Sequence, residues 1–277
     1  MRISIGGFSF HRALESGRQD MFKYIEDSKA LGATQLDPWN AQLAPIQSAD
    51  SIVKAGSDPG HAELTAQDDE YLARVKRAAD AAGLPFGCIA VDGAHIYEPT
   101  PEAREANRRL AYRWLEVADI LGAEQMRVDA GGPQELPDDV FAIIVAGYDD
   151  LIARARERNI EVLMENHWGP SVIPTNVARI IEAVDGLGLL FDSHNWAPGM
   201  QEQGWMSCAK YARSTHFKTF EFDENGNEKN VDVPRCVQIL VDAGYSGCWG
   251  VESCPTDGDE YGAVGKTIAL LKRCVKP

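Results

Sequence analysis

The chain has 277 residues, 44% of them apolar and 25% charged, with a formal net charge of −15. Those proportions describe a globular protein rather than a disordered one, and no apolar run approaches the ~18 residues of a membrane span. The acidic balance disfavours nucleic acid, whose binding rests on neutralised phosphates, and disfavours an anionic membrane surface.

The opening MRISIGGFSF reads as a first strand, since it lacks the longer apolar core and small-residue cleavage site of a signal peptide. A helical segment near residues 20–31 follows, then ATQLDPW as a second strand, then the helical DDEYLARVKRAADAAG. In that helix Leu72, Val75, Ala78 and Ala79 recur at three- and four-residue spacing. FGCIAVDG, REANRRLAYRWLEVADILG, AEQMRVDAG, DVFAIIVAGYDDLIARARERN and EVLMENHW continue the alternation. NVARIIEAVDG, LGLLFDSHNW, a helix near residues 204–211, STHFKTFEF, VPRCVQILVDAG, CWGVESC and YGAVGKTIALLKRC complete it. Gly32, Gly83, Gly122, Gly186 and Gly244 sit where left-handed helix caps belong.

The strand runs are largely apolar rather than alternating, as expected for a parallel sheet covered on both faces. Eight strand–helix units predict one (β/α)8 barrel over residues 1–277. The rival, a doubly wound open sheet, lacks a GxGxxG after the first strand. The connection at residues 40–67 is long enough to predict a lid or specificity loop on the catalytic face. Cys88, Cys208, Cys236, Cys248, Cys254 and Cys274 show no CxxC pairing and read as reduced thiols of a cytoplasmic protein.

Four of the late strands end alike. VLM stops at Glu165, LLF at Asp192, ST leads to His216, and WGV stops at Glu252. These are the fifth to eighth strands of the count, and in a barrel their ends converge on one face. Three carboxylates and an imidazole placed together repel and shift one another's protonation unless a cation balances them. Oxygen-rich ligands with one nitrogen suit a divalent ion, Mn²⁺ first, with Mg²⁺, Co²⁺ and Zn²⁺ as alternatives.

The motifs MENHWG, FDSHNW, THFK and GVES, with GYSG before the last strand, resemble the xylose isomerase-like TIM-barrel superfamily. That group comprises sugar isomerases and epimerases and includes AP endonuclease family 2 relatives of endonuclease IV. The resemblance spans nearly the whole chain. It implies that Glu165, Asp192, His216 and Glu252 are the metal ligands and that Glu165 and Glu252 also move protons. It further implies a divalent-metal-dependent isomerase or epimerase working through an enediolate, with a sugar or keto-sugar substrate and a homodimer or homotetramer. A metal-dependent lyase or dehydratase, inosose dehydratase-like or cleaving 3-oxo-glycosides, is the alternative. Where many members carry a histidine three residues after the strand-six aspartate, this chain has Asn195, which keeps the lyase open.

Several residues are candidates for the substrate. Asn195 can bond a sugar hydroxyl, while its neighbour His194 faces the other way along a strand. Lys218 follows His216 by two and either holds an oxyanion or pairs elsewhere. His167, two after Glu165, touches substrate or supports a neighbour by hydrogen bonding. Arg127 contacts sugar or pairs with Asp129 or Asp92. Trp39, Trp168, Trp196 and Trp249 lie near strand ends, where a flat ring either stacks on a pyranose or packs the barrel mouth. Trp114 belongs to the core of a helix; Asp37 binds a hydroxyl or caps its loop; His95 and His11 follow strands and either line the mouth or are loop histidines; His61 has no role. No glycine-rich loop opens onto a helix at the last two strands, so a phosphorylated substrate is not expected.

Overall fold

The computed structural model describes residues 1–43 and 64–275. Its strands are β1 (Ile3–Ile5), β2 (Cys88–Val91), β3 (Gln125–Val128), β4 (Glu161–Glu165), β5 (Gly188–Asp192), β6 (Ala212–Thr219) and β7 (Trp249–Ser253). They form one sheet in the order β1-β7-β6-β5-β4-β3-β2, with every neighbouring pair parallel. Around it run α1 (His11–Glu15), α2 (Met21–Leu31), α3 (Ala66–Ala82), α4 (Pro101–Leu121) and α5 (Asp138–Arg156). The chain continues through α6 (Pro174–Ala183), α7 (Gln201–Cys208), α8 (Val233–Asp242) and α9 (Glu260–Cys274).

The expected second strand is the one stave that departs from the eightfold count. Residues 33–39 make only single parallel bridges: Leu36 to Phe86, Trp39 to Ala90, and Asp37 to Gly6. Two causes are visible. Pro38 has no N–H to give the ladder, and the Asp37 N–H donates to the Tyr24 hydroxyl at 3.0 Å instead of to a neighbouring strand. The segment nonetheless reaches both edges of the sheet. Gly7 N donates to Asp37 O at 3.0 Å on the β1 side, and Gly87 N and Ala90 N donate to Leu36 O and Pro38 O on the β2 side. The barrel is thereby closed.

Helix ends follow their caps. Asp20 accepts from Lys23 N at 2.8 Å to start α2, and Thr65 with Asp68 forms a reciprocal capping box on α3. Gly32, Gly83 and Gly122 close α2, α3 and α4 in the left-handed region. Gly186 and Gly244 also have positive φ but stand beyond the caps, which are Val184 and Ala243. Of the long connection, Asn40–Leu43 forms a 3-10 turn. Residues 44–63, carrying most of the predicted lid and His61, lie outside the described residues.

Except at the first residues of β3 and β4 and at Arg213 of β6, the strands are buried along their length, as sheet staves covered by helices outside and side chains inside must be. Trp114 is fully buried among the helices. Cys88, Leu163 and Leu190 form a small cluster of their own, apart from the main core. Side chains on a strand alternate faces. Leu163 therefore predicts the direction of Glu165, and Leu190 that of Asp192, two positions nearer the carboxyl end of the barrel. The six cysteines are unpaired. Among the described residues, no helix is long and apolar enough to cross a membrane.

Tyr24 ties the irregular stave to β1. Its hydroxyl donates to Ile5 O at 2.5 Å and accepts from Asp37 N. Tyr24→Phe is expected to cost about 1–3 kcal/mol by leaving both backbone groups buried and unsatisfied. Urea unfolding should show a lower midpoint at unchanged slope; an unaltered midpoint would mean the stave is held without Tyr24.

Candidate active site

The strand ends converge as the sequence predicts. Asp192 pairs in register with His216 across β5 and β6, and Lys218 pairs with Glu252 across β6 and β7. Glu165, Asp192, His216 and Glu252 are buried, and each offers one ligand atom within 4.8 Å of the others. His216 Nδ1 lies 3.1 Å from Glu165 Oε1 and 3.6 Å from Glu252 Oε2. The imidazole reaches this place because residue 6 is glycine: a Cβ there would stand 3.3 Å from His216 Nε2 and 3.2 Å from Val251 O.

Each carboxylate is only partly satisfied. Asp192 Oδ1 accepts from His194 N at 2.6 Å and Asn195 N at 2.8 Å. Asp192 Oδ2, Glu165 Oε2 and Glu252 Oε2 are buried without a hydrogen-bond partner. Ion pairs flank them without hydrogen-bond alignment. Arg127 Nε is 3.0 Å from Glu165 Oε2, and Lys218 Nζ is 3.2 Å from Glu252 Oε2 and 3.6 Å from Asp192 Oδ2. The residues fit a divalent cation: three buried carboxylates each keep an oxygen with no donor, and the imidazole stands among them.

Charge bookkeeping agrees. Asp129, Glu165, Asp192 and Glu252 are buried carboxylates, and Arg127 and Lys218 are the buried permanent cations beside them. Two negative charges are left over when the histidines are neutral, the amount one divalent ion carries. Without an ion the site compensates by holding protons. Burial pushes Asp192 up to about 7, with Glu252 and Glu165 adding to the rise against Lys218. Burial opposes a proton on His216, but Glu165 and Glu252 outweigh it and raise the imidazole to about 8. Burial likewise opposes the charge on Glu252 and Glu165. Lys218 and His216 bring Glu252 down to about 2, and Arg127 and His216 hold Glu165 below its ordinary value.

The substrate candidates divide. Arg127, His167, Lys218 and Trp39 line one cavity with His216 and Glu252. Gly6, Gly7, Phe8, Ala90 and Asp92 complete its wall. Arg127 is spent on ion pairs, with Asp92 Oδ1 at 2.7 Å and Asp129 Oδ2 at 3.2 Å besides Glu165. Trp39 Nε1 donates to Asp92 Oδ2 at 2.7 Å, and Phe8 stands edge-on to its ring. Lys218 Nζ donates to Asn195 Oδ1 at 3.0 Å. His167 and Trp168 both bond Asp129, and Trp168 keeps 37% of its surface exposed.

Other candidates lie elsewhere. Trp249 starts β7 and packs on Phe217 and Tyr245. Trp196 is buried on Phe191 and Gly204. His194 packs edge-on to Phe220, away from the carboxylates. Asp37 is buried, accepting from Cys88 N and Gln35 Nε2. His11 bonds Phe8 O and stacks on the Phe8 ring. His95 approaches Glu98 and meets Trp168 edge-on. Three contributors were not singled out from the sequence as site residues. Asp92 follows β2 directly and Phe8 lies three residues beyond β1, a signal of position alone. Asp129 follows Arg127 by two, on the same side of its strand.

The chain is an α/β barrel in which four residues on consecutive staves could hold a cation. The family model described as xylose isomerase-like TIM barrel matches residues 49–274, and the chain belongs to that family. A stretch of 87 residues is 31% identical to the C-glycoside deglycosidase alpha subunit of Arthrobacter globiformis, covering 31% of this chain and 23% of that relative. In that match the chain spans about a quarter of the relative's length. Two solved structures share the fold. The 3-keto-D-glucoside 4-epimerase of E. coli has a TM-score of 0.73 at 14% identity, covering 99% of this chain and 100% of its own. The D-allulose 3-epimerase of Methylomonas sp. has a TM-score of 0.71 at 13% identity, covering 99% and 98%.

The protonation pattern has a sign. Asp192 is raised from 3.8 to about 7, so its ionisation costs the ion-free fold stability progressively over that window. His216, raised from 6.5 to about 8, stabilises the fold fully below 6.5, and that contribution is lost as pH rises to about 8. A divalent ion must displace both protons, so its binding strengthens over the same range. The rise in melting temperature on adding Mn²⁺ is expected to be larger at pH 8 than at pH 6. An equal rise at both would show that the ion binds without these two groups.

Proposed function

We propose that the protein is a sugar-modifying enzyme, an isomerase or epimerase that moves a proton on a sugar or keto-sugar with Glu165 and Glu252 as its acid–base pair. One observation carries this reading. Two buried carboxylates approach the same imidazole nitrogen, at 3.1 and 3.6 Å, from staves separated by two others. Proton transfer needs such groups within hydrogen-bond reach of a shared point.

Glu165, Asp192, His216 and Glu252 would hold the ion. A bound divalent cation, Mn²⁺ by the donor set, would polarise a carbonyl and its neighbouring hydroxyl and acidify the C–H between them. Glu165 or Glu252 takes that proton. If the other carboxylate returns one to the opposite face of the same carbon, the product is an epimer. If the proton goes to the adjacent carbon, an aldose and a ketose interconvert. Lys218, charged at neutral pH beside Asp192 and Glu252, holds the substrate oxygen as it gains charge. Asn195 orients Lys218, and Trp39 and Trp168 offer apolar faces to the ring.

A second reading is favoured by the Lys218–Asn195 pair and by the deglycosidase relative. After the same C–H proton is removed, a group on the next carbon leaves and takes a proton from the site, which makes the enzyme a lyase.

The test is mass spectrometry in D₂O with Mn²⁺-loaded protein on ketoses, inososes and 3-oxo-glycosides. Solvent deuterium taken up with the carbon skeleton intact supports isomerisation or epimerisation. Loss of water or of an aglycone supports the lyase. Glu165→Gln should lower turnover by at least about 10²-fold, within the usual worth of a general base, with an unchanged circular dichroism spectrum. Thorough chelation should abolish activity and Mn²⁺ restore it. Full activity in the variant, or after chelation, would refute the assignment.

A further inference from the structure

Asp129 follows β3 directly, is buried, and has no part in the proton transfers above. A single oxygen, Oδ2, lies 3.0 Å from His167 Nδ1, 3.2 Å from Trp168 Nε1 and 3.2 Å from Arg127 Nη1. Two of these groups come from the loop after β4, 38 and 39 residues away in sequence. The loops are pressed together where Gly169, at φ +61°, leaves no room for a side chain: a Cβ would stand 2.5 Å from Gly132 O. Arg127 has two other carboxylates, Asp92 and Glu165. For His167 the bond to Asp129 is the described side-chain contact, and its ring lines the cavity beside His216 and Glu252.

We infer that Asp129 is the positioning residue of the sugar-facing wall, fixing His167 and Trp168 together as one binding surface. By accepting from Nδ1 it turns Nε2 of His167 away from itself, toward whatever the cavity holds. By accepting from Trp168 Nε1 it holds the indole edge and leaves ring surface in solvent. Supporting carboxylates of this kind act by orienting the group that does the contact. Asp129 is not one of the four proposed ion ligands, though it stands within 4.8 Å of Glu165 and His167, and its proposed effect falls on substrate binding more than on turnover.

The kinetic part rests on the proposed sugar activity; the spectroscopic part does not. Asp129→Ala is expected to raise KM about tenfold, the usual cost of losing an orienting partner. It should lower kcat by a smaller factor and leave Mn²⁺ affinity as it was. In a His167→Ala background the same change should add less than about twofold, because the two act through one contact. Asp129→Asn, which keeps an acceptor without the charge, should fall between wild type and alanine. In proton NMR the wild type should show a downfield imidazole N–H resonance, absent in His167→Ala and in Asp129→Ala. If the alanine variant does not fold, Asp129→Asn should still shift that resonance upfield.

A resonance unmoved in both Asp129 variants overturns the inference. So does a kcat and Mn²⁺ affinity that collapse together with KM, which would place Asp129 with the ion ligands. If no sugar in the panel turns over, the activity proposal fails alone, and the resonance still decides whether Asp129 holds His167.

Discussion

Everything at the mouth of this barrel answers to one constraint: buried carboxylates must be neutralised where water cannot do it. Asp129, Glu165, Asp192 and Glu252 are all but removed from solvent, and an unpaired ion in such surroundings is costly. Arg127 and Lys218 answer part of the demand, and the histidines answer more by holding protons. With the histidines neutral, the two negative charges left over match one divalent ion. The ladder from β4 to β7, the glycine at position 6 and the placement of Lys218 all serve to keep these charges at fixed separations.

That constraint also separates two kinds of wall. The proposed ion ligands stand on β4, β5, β6 and β7, joined by continuous parallel pairing. The groups proposed to face a substrate stand mainly on loops and on the irregular stave: Phe8, Trp39, His167 and Trp168. Trp39, His167 and Trp168 are held by side-chain hydrogen bonds to Asp92 and Asp129 and Phe8 by ring contacts, rather than by sheet register.

The sequence carried the first set plainly. An acid directly after an apolar run has few explanations, and four such ends one βα unit apart have fewer. The fold followed from the same apolar runs, which alternate with helices closed by Gly32, Gly83 and Gly122. Residues 33–39 read as a strand by composition, yet Pro38 and the diverted Asp37 N–H leave it with isolated bridges. Tryptophans near strand ends proved a weaker guide. Trp249 opens its strand and Trp196 turns onto Gly204, so both pack inside, while Trp39 and Trp168 reach the mouth. Asp129 was legible only as a neighbour of Arg127. Its bonds to His167 and Trp168 cross two loops whose approach depends on backbone packing at Gly169, and local sequence does not encode that.

The closure of the barrel through residues 33–39 has a mechanical meaning. A cylinder with six regular seams and two stitched by single bridges yields first at the stitching, because that is where the fewest backbone bonds oppose opening. Trp39 belongs to that stitching, and Phe8 and Gly7 follow the strand on one side of it. Glu165 and Asp192 lie on staves far from it, whereas Glu252 is one stave away and His216 stands against Gly6, which bridges Asp37. Breathing at these seams would therefore act first on the wall that carries Gly7, Phe8 and Trp39 and reach the cluster of Glu165, Asp192, His216 and Glu252 through Gly6.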